Sequence, residues 1–389
     1  MKSIRLLLPI CGLMLATALP AQVISIASRD SVGGEPRTTG FVNLSIWFNA
    51  FVDFYGLQES ATFNLTNIPI PRADNGVRYS ADLRQSRFMF GGTRRGTALG
   101  SLTGYLEGDF YGPEGTSTFR MRHAYVKNAH WLIGQTWSTA TDIEVLPFLA
   151  DFDGPPTGVF TRSAMMRYKG NTTKRFVWTA SLESPRTDIR FASGADSSLL
   201  DTTITPAFQR LPDLISSLRW QWSGGHVELA AILRELRYRQ DDEVLSEFGR
   251  GLVLAAVLRR GARDHIHLQG LGGKGIGSYV IALGVTDADA IPFEGRLHPV
   301  PVYGGYGAYE HWWTDKWFST GVLGGTIVTN DLIEDQGDFM RGLYSSINLF
   351  VRPSPGLTVG TELLYGWRRD PNDDKGDAMR IYFVTAYRM

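Results

Sequence analysis

From about residue 40 to the C-terminus this chain alternates apolar and polar side chains with a period of two, in segments of about ten residues. In 42–53, Val42, Leu44, Ile46, Phe48, Ala50 and Val52 alternate with Asn43, Ser45, Trp47, Asn49, Phe51 and Asp53. In 341–351, Leu343, Ile347, Leu349 and Val351 alternate with Tyr344, Ser346, Asn348 and Phe350. In 263–270, Ile266 and Leu268 alternate with His265, His267 and Gln269, and in 117–126 Phe119, Met121 and Tyr125 alternate with Arg120, Arg122 and Ala124. Successive side chains of a strand point to opposite faces, so each segment is a strand with one apolar and one polar face. No stretch after Ala18 is long and apolar enough for a membrane helix, and mean hydropathy is −0.11. A membrane barrel meets both conditions, because its strands dilute their apolar face with a polar one.

The same template predicts sixteen strands, near 42–54, 81–93, 98–110, 117–127, 130–138, 161–169, 174–183, 211–222, 225–238, 247–259, 263–272, 302–313, 317–328, 339–351, 356–368 and 378–388. Their length suits the roughly 9–11 residues that cross a bilayer when tilted. Connections alternate between short (94–97, 128–129, 170–173, 223–224, 260–262, 314–316, 352–355) and mostly longer, notably 55–80, 139–160, 184–210 and 273–301. Segment 277–284 reads as loop. Short turns at one end, long loops at the other and an even strand count describe an outer-membrane barrel, with the turns periplasmic and the loops extracellular. In hydrocarbon every backbone N–H and C=O needs an internal partner, so such strands span only as a closed barrel. The expected fold is all-β: a transmembrane antiparallel β-barrel of sixteen strands, wide enough for an aqueous lumen.

The N-terminus fits that destination. Lys2 and Arg5 precede an apolar run from Leu6 to Ala18, then Leu19-Pro20-Ala21, the layout of a secretory signal peptide cleaved after Ala21. The domain expectation is therefore a signal peptide at 1–21 and one barrel at 22–389, with 22–40 as a short lead-in. The single cysteine, Cys11, leaves with the signal, so disulfides do not hold the mature chain together. Charge is balanced at 39 basic and 39 acidic residues, or −2 without Lys2 and Arg5, which does not suit a nucleic-acid partner.

With the apolar face toward lipid, the lumen receives Arg87, Arg120, Arg122 and Arg167, with Glu107 and Asp109 among them. Arginine outnumbers lysine 32 to 7, and guanidinium is a permanent charge that grips carboxylates in a fork. Loop 139–160 carries Asp142, Glu144, Asp151 and Asp153 beside Leu146-Pro147-Phe148-Leu149 and Pro155-Pro156. Folded inward as a pore-constricting third loop, it would set Glu144, Asp151 and Asp153 against the arginines, and the transverse field would favour small anionic solutes. The alternative role for the same charges is to pair with one another and stiffen the wall.

Several of these stretches together resemble the DcaP family of trimeric outer-membrane porins: Leu83-Arg84-Gln85-Ser86-Arg87-Phe88-Met89-Phe90, Leu106-Glu107-Gly108-Asp109-Phe110, Arg120-Met121-Arg122-His123-Ala124-Tyr125, Gly134-Gln135-Thr136-Trp137-Ser138, Val302-Tyr303-Gly304-Gly305-Tyr306 and Tyr309-Glu310-His311-Trp312-Trp313. The resemblance implies a sixteen-stranded homotrimer with a basic, narrowed lumen passing small anions such as dicarboxylates. Two departures are that only Gln22 to Gly40 precede the first expected strand, without heptads, and that the last residue is Met389 rather than an aromatic.

The expected function is a porin for small hydrophilic solutes, in contact with outer-membrane lipid or lipopolysaccharide. No cofactor is expected. A barrel enzyme would need a nucleophile or activated water beside a base, and no serine accompanies His265, His267 and Asp264 convincingly. Asp151-Phe152-Asp153 supplies too few ligands for a metal, Asn372-Asp373-Asp374 with Asp377 reads as a solvated turn before a calcium site, and Gly270-Leu271-Gly272-Gly273-Lys274-Gly275 lacks a following helix. A barrel that binds surfaces or partners through its long loops is the remaining alternative.

Overall fold

The computed structural model describes residues 24–57, 61–74, 76–112, 116–171, 173–187, 209–240, 243–283, 289–329, 332 and 338–389. The expected signal peptide lies outside them. Sixteen antiparallel strands form one closed ladder. They are β1 (Thr38–Tyr55), β2 (Arg78–Asp82 and Arg87–Thr97), β3 (Gly100–Asp109), β4 (Arg120–Lys127), β5 (Trp131–Trp137), β6 (Arg162–Asn171), β7 (Phe176–Glu183) and β8 (Asp213–Trp222). The second half comprises β9 (Gly225–Gln240), β10 (Glu243–Arg260), β11 (Asp264–Lys274), β12 (Pro301–Trp312), β13 (Trp317–Val328), β14 (Arg341–Ser354), β15 (Leu357–Arg369) and β16 (Lys375–Arg388). β16 pairs with β1 from Met379↔Tyr55 to Arg388↔Ser45, which closes the barrel.

Closure leaves two irregular places, and each is satisfied locally. β1 outlasts β16 at the short-turn end, and its bare edge is covered by the strand Ile24–Ala27, paired with 39–42. The expected lead-in thus contributes to the wall, because an unpaired edge in a membrane is costly. β2 is interrupted at 83–86, where side chains replace the ladder: Ser86 Oγ accepts from Trp47 N at 3.0 Å and Gln85 Oε1 from Asn49 Nδ2 at 2.8 Å.

Alternation sorts the wall as expected over most of its length. On β1, Ile46 and Phe48 are exposed to the outside while Trp47, Asn49, Phe51 and Asp53 are buried within. At the short-turn end outward aromatics cluster: Trp131 lies 4.9 Å from Tyr168, which lies 5.2 Å from Trp178, and Trp220 lies 5.1 Å from Trp222. Such a belt marks a membrane interface.

The alternation fails on β4. The pairing of β3 with β4 shifts between Glu107↔His123 and Gly108↔Met121, so β4 carries a bulge that buries both Arg122 and His123. One extra residue moves every later side chain to the opposite face. Tyr125, expected on the lipid side, instead packs 5.5 Å from Tyr105 and shares its inward face, while Val126 is exposed.

The apolar core lies inside the barrel, between the wall and loops folded into it. From the first loop, Phe63, Leu65 and Ile68 are fully buried against β14 and β15. Gly366 permits that approach, since a Cβ there would stand 2.7 Å from the Phe63 ring. Segment 277–284, expected as loop, forms two short 3-10 turns over its described residues, and a hairpin of Ala290–Phe293 with Arg296–Pro299 follows. The lumen is therefore narrowed by packed loops at the long-loop end.

Candidate functional site: a constriction built on the third loop

The third loop, 138–161, leaves β5, crosses the lumen and returns to β6. Its backbone groups find partners on the far wall, as buried polar groups must. Thr139 N donates to Glu183 on β7 at 2.8 Å, and Tyr306 of β12 donates to Val145 O at 3.2 Å. Asn348 of β14 donates to Phe148 O at 3.0 Å, and Ala150 N donates to Glu362 of β15. On the return, Val159 N donates to Gln269 of β11 at 2.6 Å. Phe148 anchors the crossing, packed edge-on against Phe350 at 4.9 Å and Phe318 at 5.4 Å. The apolar run that looked out of place for an exposed loop is the part that docks.

On the near wall, β2, β3 and β4 bring Arg87, Arg120, Arg122, Glu107 and Asp109 together. Arg120 grips Asp109 through two bonds of 2.9 and 2.7 Å. Arg122, buried, bridges Glu107 at 2.9 Å and Asp109 at 2.8 Å. Arg87 stands 3.7 Å from Glu107, whose other oxygen accepts from Tyr105 at 2.6 Å. The cluster holds three guanidinium groups and two carboxylates. Phe152, at the inner edge of the third loop, lies 5.4–5.9 Å from all three guanidinium carbons and stacks on Tyr111 at 4.3 Å. A ring at that range attracts cations through its negative face, so Phe152 holds the loop beside the arginines without consuming their charge.

The loop carboxylates do not all meet this wall. Asp153 is hydrogen-bonded by Thr62 and lies within the field of Arg120, Arg162 and Arg122. Asp151 turns away from it, accepting from Phe63 N at 3.1 Å and Tyr344 Oη at 3.3 Å. Glu144 reaches the opposite side, 2.9 Å from Arg219 of β8. Arg167 spends its donors on the root of the loop, on Thr139 Oγ1 at 2.9 Å and Trp137 O. The expectation that Glu144, Asp151 and Asp153 face the arginines of β2–β4 and β6 therefore holds in space for Asp153 alone. The reason is the length of the crossing, which carries the two ends of the loop to different walls.

Sequence reasoning missed that second wall. Arg219 binds three carboxylates at once: Asp142 at 2.6 Å, Glu144 at 2.9 Å and Glu228 at 2.6 Å. His226 Nε2 adds a contact to Asp142 at 2.6 Å. Burial works to raise the Asp142 carboxyl, but the His226 hydrogen bond and the Arg219 charge outweigh it and hold the group below the usual carboxylate range. Also unanticipated were Arg162, 4.6 Å over the Trp137 ring, and Arg234, buried on Asp213 and Asp289. Arg380 forms a buried fork with Asp53 at 2.5 and 2.8 Å. Strand parity offered a signal for Arg219, which sits between the exposed Leu218 and Trp220.

Asp151 behaves differently from Asp142. Burial, and then the neighbouring Asp153 charge, push its carboxyl up to about 7. A folded-state value above the unfolded one stabilises the docked loop fully below about pH 4, and that contribution is lost as pH rises through about 7. Asp151→Asn should remove this group's share of the dependence. Protease protection of the loop would fall between pH 5 and 8 in the natural chain and fall less steeply in the variant; parallel profiles would refute the assignment.

Among the described residues, no group of three or more histidine, cysteine or carboxylate side chains is placed to hold a metal. Asp373 in the turn considered for calcium is taken by Arg341 at 2.6 Å and by Arg369.

Residues 37–218 match the family described as DcaP outer membrane protein. No curated protein sequence matches the chain. Among solved structures, the outer membrane channel DcaP of Acinetobacter baumannii superposes with a TM-score of 0.80 at 16% identity, covering 94% of this chain and 100% of that one. The anion-selective porin of Comamonas acidovorans gives 0.58 at 11% identity, with 90% and 100% covered. The trimer form of OmpT of Vibrio cholerae gives 0.54 at 10%, with 90% and 99% covered. Residues 37–218 thus match the family described as DcaP outer membrane protein, and the chain as a whole shares the barrel fold of the solved outer membrane channel DcaP.

Proposed function

We propose that this porin passes small hydrophilic solutes by passive diffusion, favours small dicarboxylate-like anions, and works as a homotrimer. The observation that carries the preference is the cluster of Arg87, Arg120, Arg122 and Arg162 around three carboxylates, Glu107, Asp109 and the loop's Asp153, with the Phe152 ring beside them. One positive charge in excess, beside a low-dielectric wall, raises the local concentration of anions. Glu144 and Asp142, which would oppose that charge, are held on the far side by Arg219, away from the β2–β4 cluster. Support for the wider reading comes from two barrels of the same fold, one an anion-selective porin and one with a trimer form.

Single-channel recording in a planar bilayer under a salt gradient tests all three parts. Closures in groups of three and a reversal potential of the anion-preferring sign are expected. Single-step closures would refute the trimer, and the cation-preferring sign would refute the role of the arginines. Silence in the presence of small dicarboxylates on both sides would refute the diffusion pathway.

A further inference from the structure

The outer surface of the wall is apolar along most strands, with an exception on β9–β11 near the long-loop end. Arg250 on β10 and Lys274 on β11 are directly opposite one another in the ladder, and both side chains are exposed on the outside. Neither makes a hydrogen bond or ion pair with a described residue. Two like charges side by side on adjacent strands repel, so the sheet gains nothing from the pair by itself.

Their surroundings locate them at the edge of the hydrocarbon. Arg250 stands between the exposed Phe248 and Leu252, in register with the exposed Leu233 of β9. One outward position below Lys274, Gly272 lies between Leu252 and the exposed Tyr303 of β12. Below the pair the wall is thus apolar; above it β11 ends in a long loop, and the outward positions of β9 become Glu235, Arg237 and Arg239. Arginine and lysine at that depth lay their stems along apolar surface and extend their charge into the headgroup layer. The nearest outward carboxylate, Glu235, is already held by Arg210 at 2.6 Å, with Arg237 at 4.0 Å.

We propose that Arg250 and Lys274 form a binding site for the phosphorylated headgroup of an outer-leaflet lipid. A phosphate placed between the two cations would accept from both, relieve their repulsion, and leave its acyl chains against Leu233 and Leu252. The apolar flanks favour a lipid over a soluble phosphate, which would have no use for them. Basic residues near a membrane surface each contribute measurably to binding anionic lipid.

The test uses the full mature chain purified in detergent, with lipid A bearing both phosphates and the same lipid dephosphorylated as probes. Bound lipid per barrel is counted by native mass spectrometry. The phosphorylated lipid should bind at least about tenfold more tightly, and Arg250→Gln with Lys274→Gln should abolish that preference. Unchanged conductance of the double variant would show that it folds, independently of the charge preference of the pore. Equal binding of the two lipids by the natural chain would overturn the proposal without any variant. So would a preference that survives in the folded double variant. Inorganic phosphate that binds through the same two residues while the lipid does not would make this a soluble-anion site, and the lipid proposal would fall.

Discussion

Replacing Arg120 and Arg122 together by serine should turn an anion-preferring pore into a cation-preferring one. In the natural chain three guanidinium groups face Glu107 and Asp109; in the variant Arg87 alone faces them. The excess changes from one positive charge to one negative. A unit charge about 7 Å from a permeating ion contributes about 1–2 kcal/mol at an effective dielectric constant of about 20–40. Losing two such charges should move the anion-to-cation permeability ratio by about tenfold or more, read as a change in sign of the reversal potential. Asp109 is fully buried and receives three of its bonds from these arginines, so the variant also strands a carboxylate. Adding Glu107→Gln and Asp109→Asn removes the stranded carboxylates and leaves Arg87 as one positive charge in excess, the same net charge as in the natural chain. That fourfold variant should return the anion preference through Arg87. Unchanged selectivity in the double variant would mean that ions pass the barrel elsewhere.

Much of the fold was legible because a membrane barrel repeats one rule. Every expected strand overlaps an observed one, and the connections expected to be short all fall at one end, although 241–242 makes β9–β10 a short connection at the other. What the rule could not show is where it breaks. Nothing in Arg-Met-Arg-His-Ala-Tyr marks a bulge, yet the extra residue places His123 beside Arg122 and returns Tyr125 to the lumen. The third loop was recognisable from its apolar run, because such a run has no place in water. Its trajectory was not, since Arg219, Phe63 and Tyr344, which hold Asp142, Glu144 and Asp151, lie 75 or more residues away along the chain, and only the closed barrel brings them near. Arg219 and Arg380 were hidden among 32 arginines for the same reason: inward parity is readable locally, but choice of partner is not.

That choice gives Arg219 the largest structural effect expected of any single substitution at the constriction. Arg219→Leu keeps most of the side-chain volume but leaves Asp142, Glu144 and Glu228 clustered with only His226 among them. Removing one member of a buried ion cluster costs about 3–5 kcal/mol, because the remaining charges are uncompensated. The loop has a way to escape that cost. Segment 139–146 can leave the β8–β9 wall, while Phe148 and the contacts beyond it stay docked on β13–β15. The expected result is a barrel that still assembles, with higher and noisier single-channel conductance and a new protease-sensitive site near Glu144. Asp142→Asn combined with Glu144→Gln in the Arg219→Leu background should restore quiet conductance, since it removes the charges that drive the loop away. A general packing role for Arg219 predicts otherwise: the added amides would leave the noise unchanged, because the missing guanidinium stem would still be missing. Measuring conductance noise across these variants therefore separates an electrostatic clasp on the third loop from simple filling of space.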